Sequence, residues 1–164
     1  METNKQISVG LVQIGDKFGE QYYLPYSIGL LQAYAQKTLK EPDRFKFLLP
    51  IYWRISVKEG VEYLLNTNIV FFSVYIWNYQ LSLKIASEIK QKRKDCIIVF
   101  GGPQVPESTI EMKSFLEDNS FVDIGCYGEG EITCLNILEN LKERSWGNVP
   151  SIGFMNKDNS FVYN

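Results

Sequence analysis

Four short stretches carry the residues best suited to hold a ligand. The apolar run Cys96-Ile97-Ile98-Val99-Phe100 ends abruptly in Gly101-Gly102-Pro103. Two glycines and a proline after a β-branched run read as a buried strand opening into a turn with bare backbone. A second apolar run, over residues 122–127, ends in Gly128-Glu129-Gly130-Glu131. Glycines where a strand hands over to a helix let the chain approach a ligand, and the helix start offers free N–H groups. A third run, residues 69–74, opens into Tyr75-Ile76-Trp77-Asn78, and a fourth, residues 7–14, into Gly15-Asp16. Tyr75, Trp77 and Tyr79 can wall a large flat ligand, or they can be ordinary core.

The same residues exclude several chemistries. The Gly128 segment is not a dinucleotide fingerprint, because Thr133 stands where the third glycine belongs. Two carboxylates there would also repel a pyrophosphate. Glu131 suits a first helical turn as a complement to the helix dipole, whereas Glu129 lies inside the turn itself. The 164 residues include no histidine, which removes the imidazole base, the usual nitrogen metal ligand and every triad built on it. Cys96, Cys126 and Cys134 match no metal-ligand spacing and read as buried free thiols. No catalytic residue and no metal ligand is assigned.

Two familiar uses of strand-end loops also fit poorly. A phosphoacceptor site needs an acidic pair after the first strand, and Asp16 stands alone. A flavodoxin needs a Ser/Thr-rich phosphate loop, and Gly15-Asp16-Lys17-Phe18-Gly19 is not one. Net charge is −2 and the densest basic run, Lys90-Gln91-Lys92-Arg93-Lys94, closes a helix, so no nucleic-acid partner is expected. No apolar run approaches the roughly 20 residues of a membrane helix. Residues 1–5 lead straight into a strand with no leader, and the expected location is cytoplasmic.

Strand and helix patterns alternate along the chain. Strands are expected at residues 7–14, 45–49, 69–74, 97–101 and 122–127. They should form one five-stranded parallel sheet, the first strand lying between the second and third, with helices on both faces. Loops after the strands' carboxyl ends then share one edge, where ligands bind in such sheets.

The loop 15–24 is longer than the usual 2–6 residues, and Tyr22-Tyr23 within it favours order. Pro25 suits a first helical turn, with Ile28, Leu31, Ala35 and Leu39 inward, and Gly29 suits a close approach to the sheet or a ligand. Further helices are expected at 57–66, 80–94 and 108–116, the last with Ser108 and Glu111 as a capping box. A final helix at 131–144 should turn Ile132, Leu135, Leu138 and Leu141 inward. Ile152–Met155 and Phe161–Tyr163 flank Asn156-Lys157-Asp158-Asn159 as an antiparallel edge hairpin.

Taken in order, four segments resemble a known family. Leu24-Pro25-Tyr26-Ser27-Ile28-Gly29-Leu30-Leu31 is similar to the opening helix of the cobalamin-binding domain at the N-terminus of many radical S-adenosylmethionine enzymes. Ser73-Val74-Tyr75-Ile76-Trp77-Asn78 resembles the segment after that domain's third strand. Val99-Phe100-Gly101-Gly102-Pro103 resembles its "GGP" turn, and Val122-Asp123 through Glu131 its "GEGE" segment.

The resemblance implies a Rossmann-like (flavodoxin-like) three-layer sandwich, with residues 1–164 as one cobalamin-binding domain of a longer enzyme. It implies cobalamin contacts from Tyr26, Ser73, Tyr75, Trp77, Asn78, Gly101, Gly102, Pro103, Tyr127, Gly128, Glu129 and Gly130. The D-x-H-x-x-G motif of cobalamin mutases is absent, so cobalt is expected without a histidine ligand. The C-x-x-x-C-x-x-C motif is absent too. S-adenosylmethionine and a 4Fe-4S cluster are therefore expected in a following radical S-adenosylmethionine domain in cis, methyl transfer being one activity of that class. The chain stops one strand after Phe161, as at a domain boundary. Two other readings stay open: an interaction domain of this fold without cobalamin, and a small nucleotide- or flavin-binding module.

Overall fold

Residues 69–73 show how the sheet is built. Every side chain of Ile-Val-Phe-Phe-Ser is buried, as a strand covered on both faces requires. In the computed structural model, which describes residues 6–164, this strand is the middle of five parallel ones. We label the strands in chain order: β1 (Ile7–Val12), β2 (Lys17–Phe18), β3 (Gln21–Tyr22), β4 (Phe45–Phe47), β5 (Ile69–Ser73), β6 (Ile97–Gly101), β7 (Ile124–Cys126), β8 (Ile152–Met155) and β9 (Phe161–Tyr163). The helices are α1 (Tyr26–Thr38), α2 (Val57–Leu64), α3 (Tyr79–Lys92), α4 (Thr109–Asp118) and α5 (Gly130–Glu139). The leader expectation for residues 1–5 lies outside the described residues.

The main sheet runs β4-β1-β5-β6-β7-β8-β9. Its first four pairings are parallel and the last two antiparallel, so the five-stranded parallel core and the edge hairpin are both borne out, with β1 between β4 and β5. Alternation along the strands divides the core into two layers. Val9, Leu11, Ile69, Phe71 and Val99 pack against Ile28 and Ala35 of α1 and Ile137 and Leu138 of α5. Val70, Phe72, Ile98 and Phe100 pack against α2, α3 and α4 through Leu64, Ile85, Ile89 and Met112. Each large side chain so buried contributes about 1.5–3 kcal/mol relative to exposure. The three-layer sandwich follows. No described helix is long and apolar enough to cross a membrane.

Several local expectations are corrected. Ile132 is 58% exposed rather than inward. Its helix starts at Gly130, and a Cβ on Gly130 would stand 3.0 Å from Leu31 Cδ2. Leu138 and Leu141 are buried as expected and Leu135 packs partly buried against the core, while Cys134 and Ile137 complete the buried stripe at i, i+3, i+4 and i+7. Pro25 precedes α1 as its N-cap, its carbonyl accepting the first helical bond from Gly29 N at 3.0 Å. Gly29 makes no close approach to the sheet, since no protein atom lies within 4 Å of where its Cβ would be.

The complete capping box belongs to Ser56 and Glu59 at the start of α2. At α4, Ser108 Oγ accepts from Glu111 N at 3.3 Å, and the Glu111 carboxylate returns to the Ser108 hydroxyl at 2.7 Å. The loop 15–24 is ordered by the small antiparallel pair β2–β3, with Phe18 and Tyr23 edge-to-face at 5.4 Å.

Candidate functional site

At the carboxyl edge of the parallel strands, a slot of about 320 Å³ opens between the first turns of α1 and α5. Its floor is the end of the sheet: Phe71 and Ser73 of β5, Val99 and Gly101 of β6, and Cys126 of β7. Tyr26, Ser27, Leu30 and Leu31 of α1 form one wall, and Gly128-Glu129-Gly130-Glu131 with Cys134 the other. Tyr75 and Gly102 close the end. The slot therefore gathers Tyr26, Ser73, Tyr75, Gly101, Gly102, Gly128, Glu129 and Gly130 from the sequence-based set.

Gly102 has a φ of +97°, a left-handed conformation that side chains disfavour. Gly128 is similar at +66°. Both turns thus need glycine for their own geometry, and both lay main chain against the slot. Glu129 is the N-cap of α5, yet its side chain makes no capping bond, so its carboxylate is free at the mouth. Ser27 Oγ and Tyr75 Oη are 2.9 Å apart and join α1 to the loop after β5. Gln13 Oε1 accepts from Ile28 N at 3.2 Å, supplying the cap that Pro25 cannot. Burial pushes the Cys126 thiol up to about 12 and raises that of Cys134 as well, so both stand in the wall as neutral thiols.

Trp77, Asn78, Pro103 and Tyr127 do not line the slot. Trp77 stands next to it, stacked on Tyr75 at 4.7 Å and 11°, with its indole N–H donating to Ile14 O at 3.2 Å. Asn78 is completely buried. Its amide donates to Ile14 O at 2.9 Å and Ser73 O at 3.2 Å and accepts from Tyr75 N at 2.8 Å, tying the ends of β1 and β5 together. Pro103 is exposed beyond the turn. Tyr127 points to the far side, stacked on Tyr163 at 4.8 Å, with burial raising its phenol.

Sequence reasoning missed Ser27, Leu30, Leu31, Phe71, Phe72, Val99, Cys126, Glu131 and Cys134 as lining residues. The signal existed for Phe71 and Val99, which lie on the same face by two-residue alternation.

Larger depressions at the opposite, amino edge are open and of mixed charge, with Lys40, Glu41, Arg44, Asp95 and Arg144 around one of about 830 Å³. Among the described residues, no cluster of His, Cys, Asp or Glu could hold a metal ion.

The chain matches no protein-family model. It is 29% identical over 119 residues to the cobalamin-dependent radical SAM methyltransferase TokK of Streptomyces tokunonensis, covering 73% of this chain and 17% of the relative. It is 28% identical over 116 residues to the 2-(S-pantetheinyl)-carbapenam-3-carboxylate methyltransferase of Streptantibioticus cattleyicolor, covering 71% of this chain and 17% of the relative.

Among solved structures, the cobalamin-dependent S-adenosylmethionine radical enzyme OxsB with aqua-cobalamin and S-adenosylmethionine bound superposes with a TM-score of 0.73 at 20% identity. That match covers 98% of this chain and 22% of OxsB. The apo form of OxsB gives a TM-score of 0.73 at 21% identity. The chain thus spans about a fifth of the length of these relatives. The resemblance carried by the four motifs is borne out by the sequence matches, and the fold by the superposition.

Proposed function

We propose that this chain binds cobalamin as residues 1–164 of a longer cytoplasmic radical S-adenosylmethionine enzyme. S-adenosylmethionine and the 4Fe-4S cluster then belong to a domain in cis, and methyl transfer is the reaction class suggested by the relatives' names. One observation carries the reading. The four segments that carry the family resemblance, at α1 and at the ends of β5, β6 and β7, converge on a single apolar slot beside exposed aromatic side chains.

The residues present fit the group. Leu30, Leu31, Phe71 and Val99 give an apolar slot that takes one flat ring system, at the small end of ordinary ligand cavities. The rest of so large a cofactor would be met at the rim by Tyr26, 78% exposed, Ile76, 77%, and Trp77, 49%. Bound cobalamin supplies a cobalt centre able to carry a methyl group. The protein's part is to bind and orient. Main chain at Gly101, Gly102, Gly128 and Gly130 allows close approach. The carboxylate of Glu129 can accept from amide groups on a corrin periphery. That carboxylate, with Glu131 in the first turn of α5, also disfavours a pyrophosphate at the α5 start, which counts against the nucleotide reading.

The test is incubation with hydroxocobalamin, removal of free ligand by gel filtration, and a visible absorbance scan. Corrin absorbance travelling with the protein is the expected result. A colourless protein overturns the reading. Retention of a flavin or nucleotide in parallel samples would replace it with the small-module alternative, and retention of none with the interaction-domain alternative.

A further inference from the structure

The turn that forms one wall of the slot is weakly held by its own atoms. Nothing lies within 4 Å of where a Cβ on Gly128 would be, and Glu129 makes no side-chain cap. Its position is set from behind. Tyr127 N donates to Ser151 O at 3.1 Å, and the Thr133 hydroxyl donates to Pro150 O at 3.2 Å. The Tyr127 ring lies flat on Tyr163 of β9, 2° from parallel, and its hydroxyl donates to the carbonyl oxygen of Asn164.

Asn164 is in turn fastened at three further points. Its N–H donates to Ile152 O at 3.0 Å, and its side-chain amide donates to Trp146 O and Val149 O at 2.9 Å each. The residue after β9 thus ties together the approach to β8, the start of β8 and the end of β7. Through Tyr127, that knot sits directly behind the slot.

We propose that Tyr127 is a positioning residue for the slot and that it couples cofactor binding to the seating of the β8–β9 hairpin. The inference rests on the cobalamin reading above and reassigns Tyr127 from contact to support. Loading the slot stiffens the 128–131 turn, and through the Tyr127 hydroxyl it steadies Asn164 and β9. Coupling of this kind is reciprocal, so displacement of Asn164 loosens the turn and weakens binding.

The test compares this chain with Tyr127→Phe, which keeps the ring stack and removes the hydroxyl, and with Tyr63→Phe. The Tyr63 hydroxyl of α2 donates to Leu49 O at 3.1 Å, away from Tyr127 and Asn164, so that variant serves as the control. Hydroxocobalamin affinity should fall about fivefold in Tyr127→Phe and change less than about twofold in Tyr63→Phe, the scale of one net hydrogen bond. Amide exchange supplies a readout that a merely structural role would not move. Hydroxocobalamin should slow exchange of the Phe161–Tyr163 amides in the parent chain and not in Tyr127→Phe.

Parent-like affinity in Tyr127→Phe, or β9 protection that survives the substitution, overturns the inference. If the parent chain takes up no corrin, the cobalamin reading fails separately. The support role is then decided on the free chain. There, Tyr127→Phe must speed exchange across residues 128–132 as well as β9, and acceleration confined to β9 overturns it.

Discussion

A Cβ on Gly102 would stand 2.9 Å from the carbonyl oxygen of Val74 and 3.0 Å from its nitrogen. Added bulk at this turn therefore meets the protein's own backbone before it meets any ligand. With a φ of +97° as well, Gly102→Val should lose about 1–3 kcal/mol of stability whether or not a cofactor binds.

Gly101 separates the two effects. Its φ is ordinary, and a Cβ there meets Cys126 Cβ at 3.6 Å, an ordinary contact at the slot floor. Gly101→Val should stay folded and lose about tenfold in hydroxocobalamin affinity, near 1.4 kcal/mol. Gly147→Val, where nothing lies within 4 Å, should bind as the parent does. Thermal melts and absorbance titrations of the three variants check this. A folded Gly101→Val with parent affinity would remove the floor from the proposed site.

Strand order and the slot at the strands' carboxyl edge were legible because they follow from runs and alternation. β-branched stretches interrupted by helical periods force right-handed crossovers, and these put the strand-end loops on one edge. Side-chain direction was not legible. Asn78 and Tyr127 stand in the expected loops, but their partners come from distant backbone: Ile14 O for one and Asn164 O for the other. Helix phase failed at Ile132 for a different reason, since the expected stripe counted every third residue, whereas Cys134, Ile137, Leu138 and Leu141 follow the i, i+3, i+4, i+7 spacing of one helical face. Asp123, quoted as part of the segment that resembles the family, lies at the other end of the strand from the slot, where its role is structural.

That role gives a second prediction. Asp123 holds the Lys90 ammonium through both oxygens, at 2.7 and 2.8 Å, and accepts from Ile98 N at 2.7 Å. Lys90 also donates to Cys96 O at 2.8 Å. The pair is mostly shielded, with side-chain exposures of 19% and 27%. Lys90→Met should cost about 1–3 kcal/mol by leaving partners unpaired. A double-mutant cycle with Asp123→Asn should give a coupling of about 1 kcal/mol. Hydroxocobalamin affinity of the folded variants should not change, because the pair sits at the amino edge. Additive losses in the cycle would show that the two groups act independently.

The lack of histidine makes a spectroscopic prediction. No imidazole of this chain can reach cobalt. Hydroxocobalamin bound to this chain and reduced to the cobalt(II) form should show no superhyperfine splitting from a protein nitrogen in its electron paramagnetic resonance spectrum. The measurement needs the cofactor's own base off the metal, which isotopic labelling of the protein with ¹⁵N distinguishes. A splitting that changes on labelling would identify a protein nitrogen ligand and sink the prediction.

The thiols in the wall predict an alkaline response. Burial raises Cys126 from 9.0 to about 12, and Cys134 moves the same way. Above pH 9 the unfolded chain releases both protons while the native chain keeps them. The native state then binds more protons than the unfolded state, so stability falls as pH rises. The loss begins near pH 9 and for Cys126 ends near pH 12, with a slope of at most about 1.4 kcal/mol per pH unit for each thiol.

Cys126→Ala should therefore melt lower than the parent at pH 7, because the truncation leaves a cavity in the wall, and lose less stability than the parent between pH 9 and 11. Denaturant titrations of the parent and variant at pH 7, 9, 10 and 11 measure both quantities. Parallel curves would mean that the Cys126 thiol ionises in the native state as freely as in the unfolded one, and that the slot floor admits water. If the slot holds a bound cofactor, hydroxocobalamin should also slow alkylation of Cys126 and Cys134 while leaving Cys96, which is buried elsewhere, unaffected. Equal protection of all three thiols would instead report a general gain in stability, and no protection would place the ligand outside the slot.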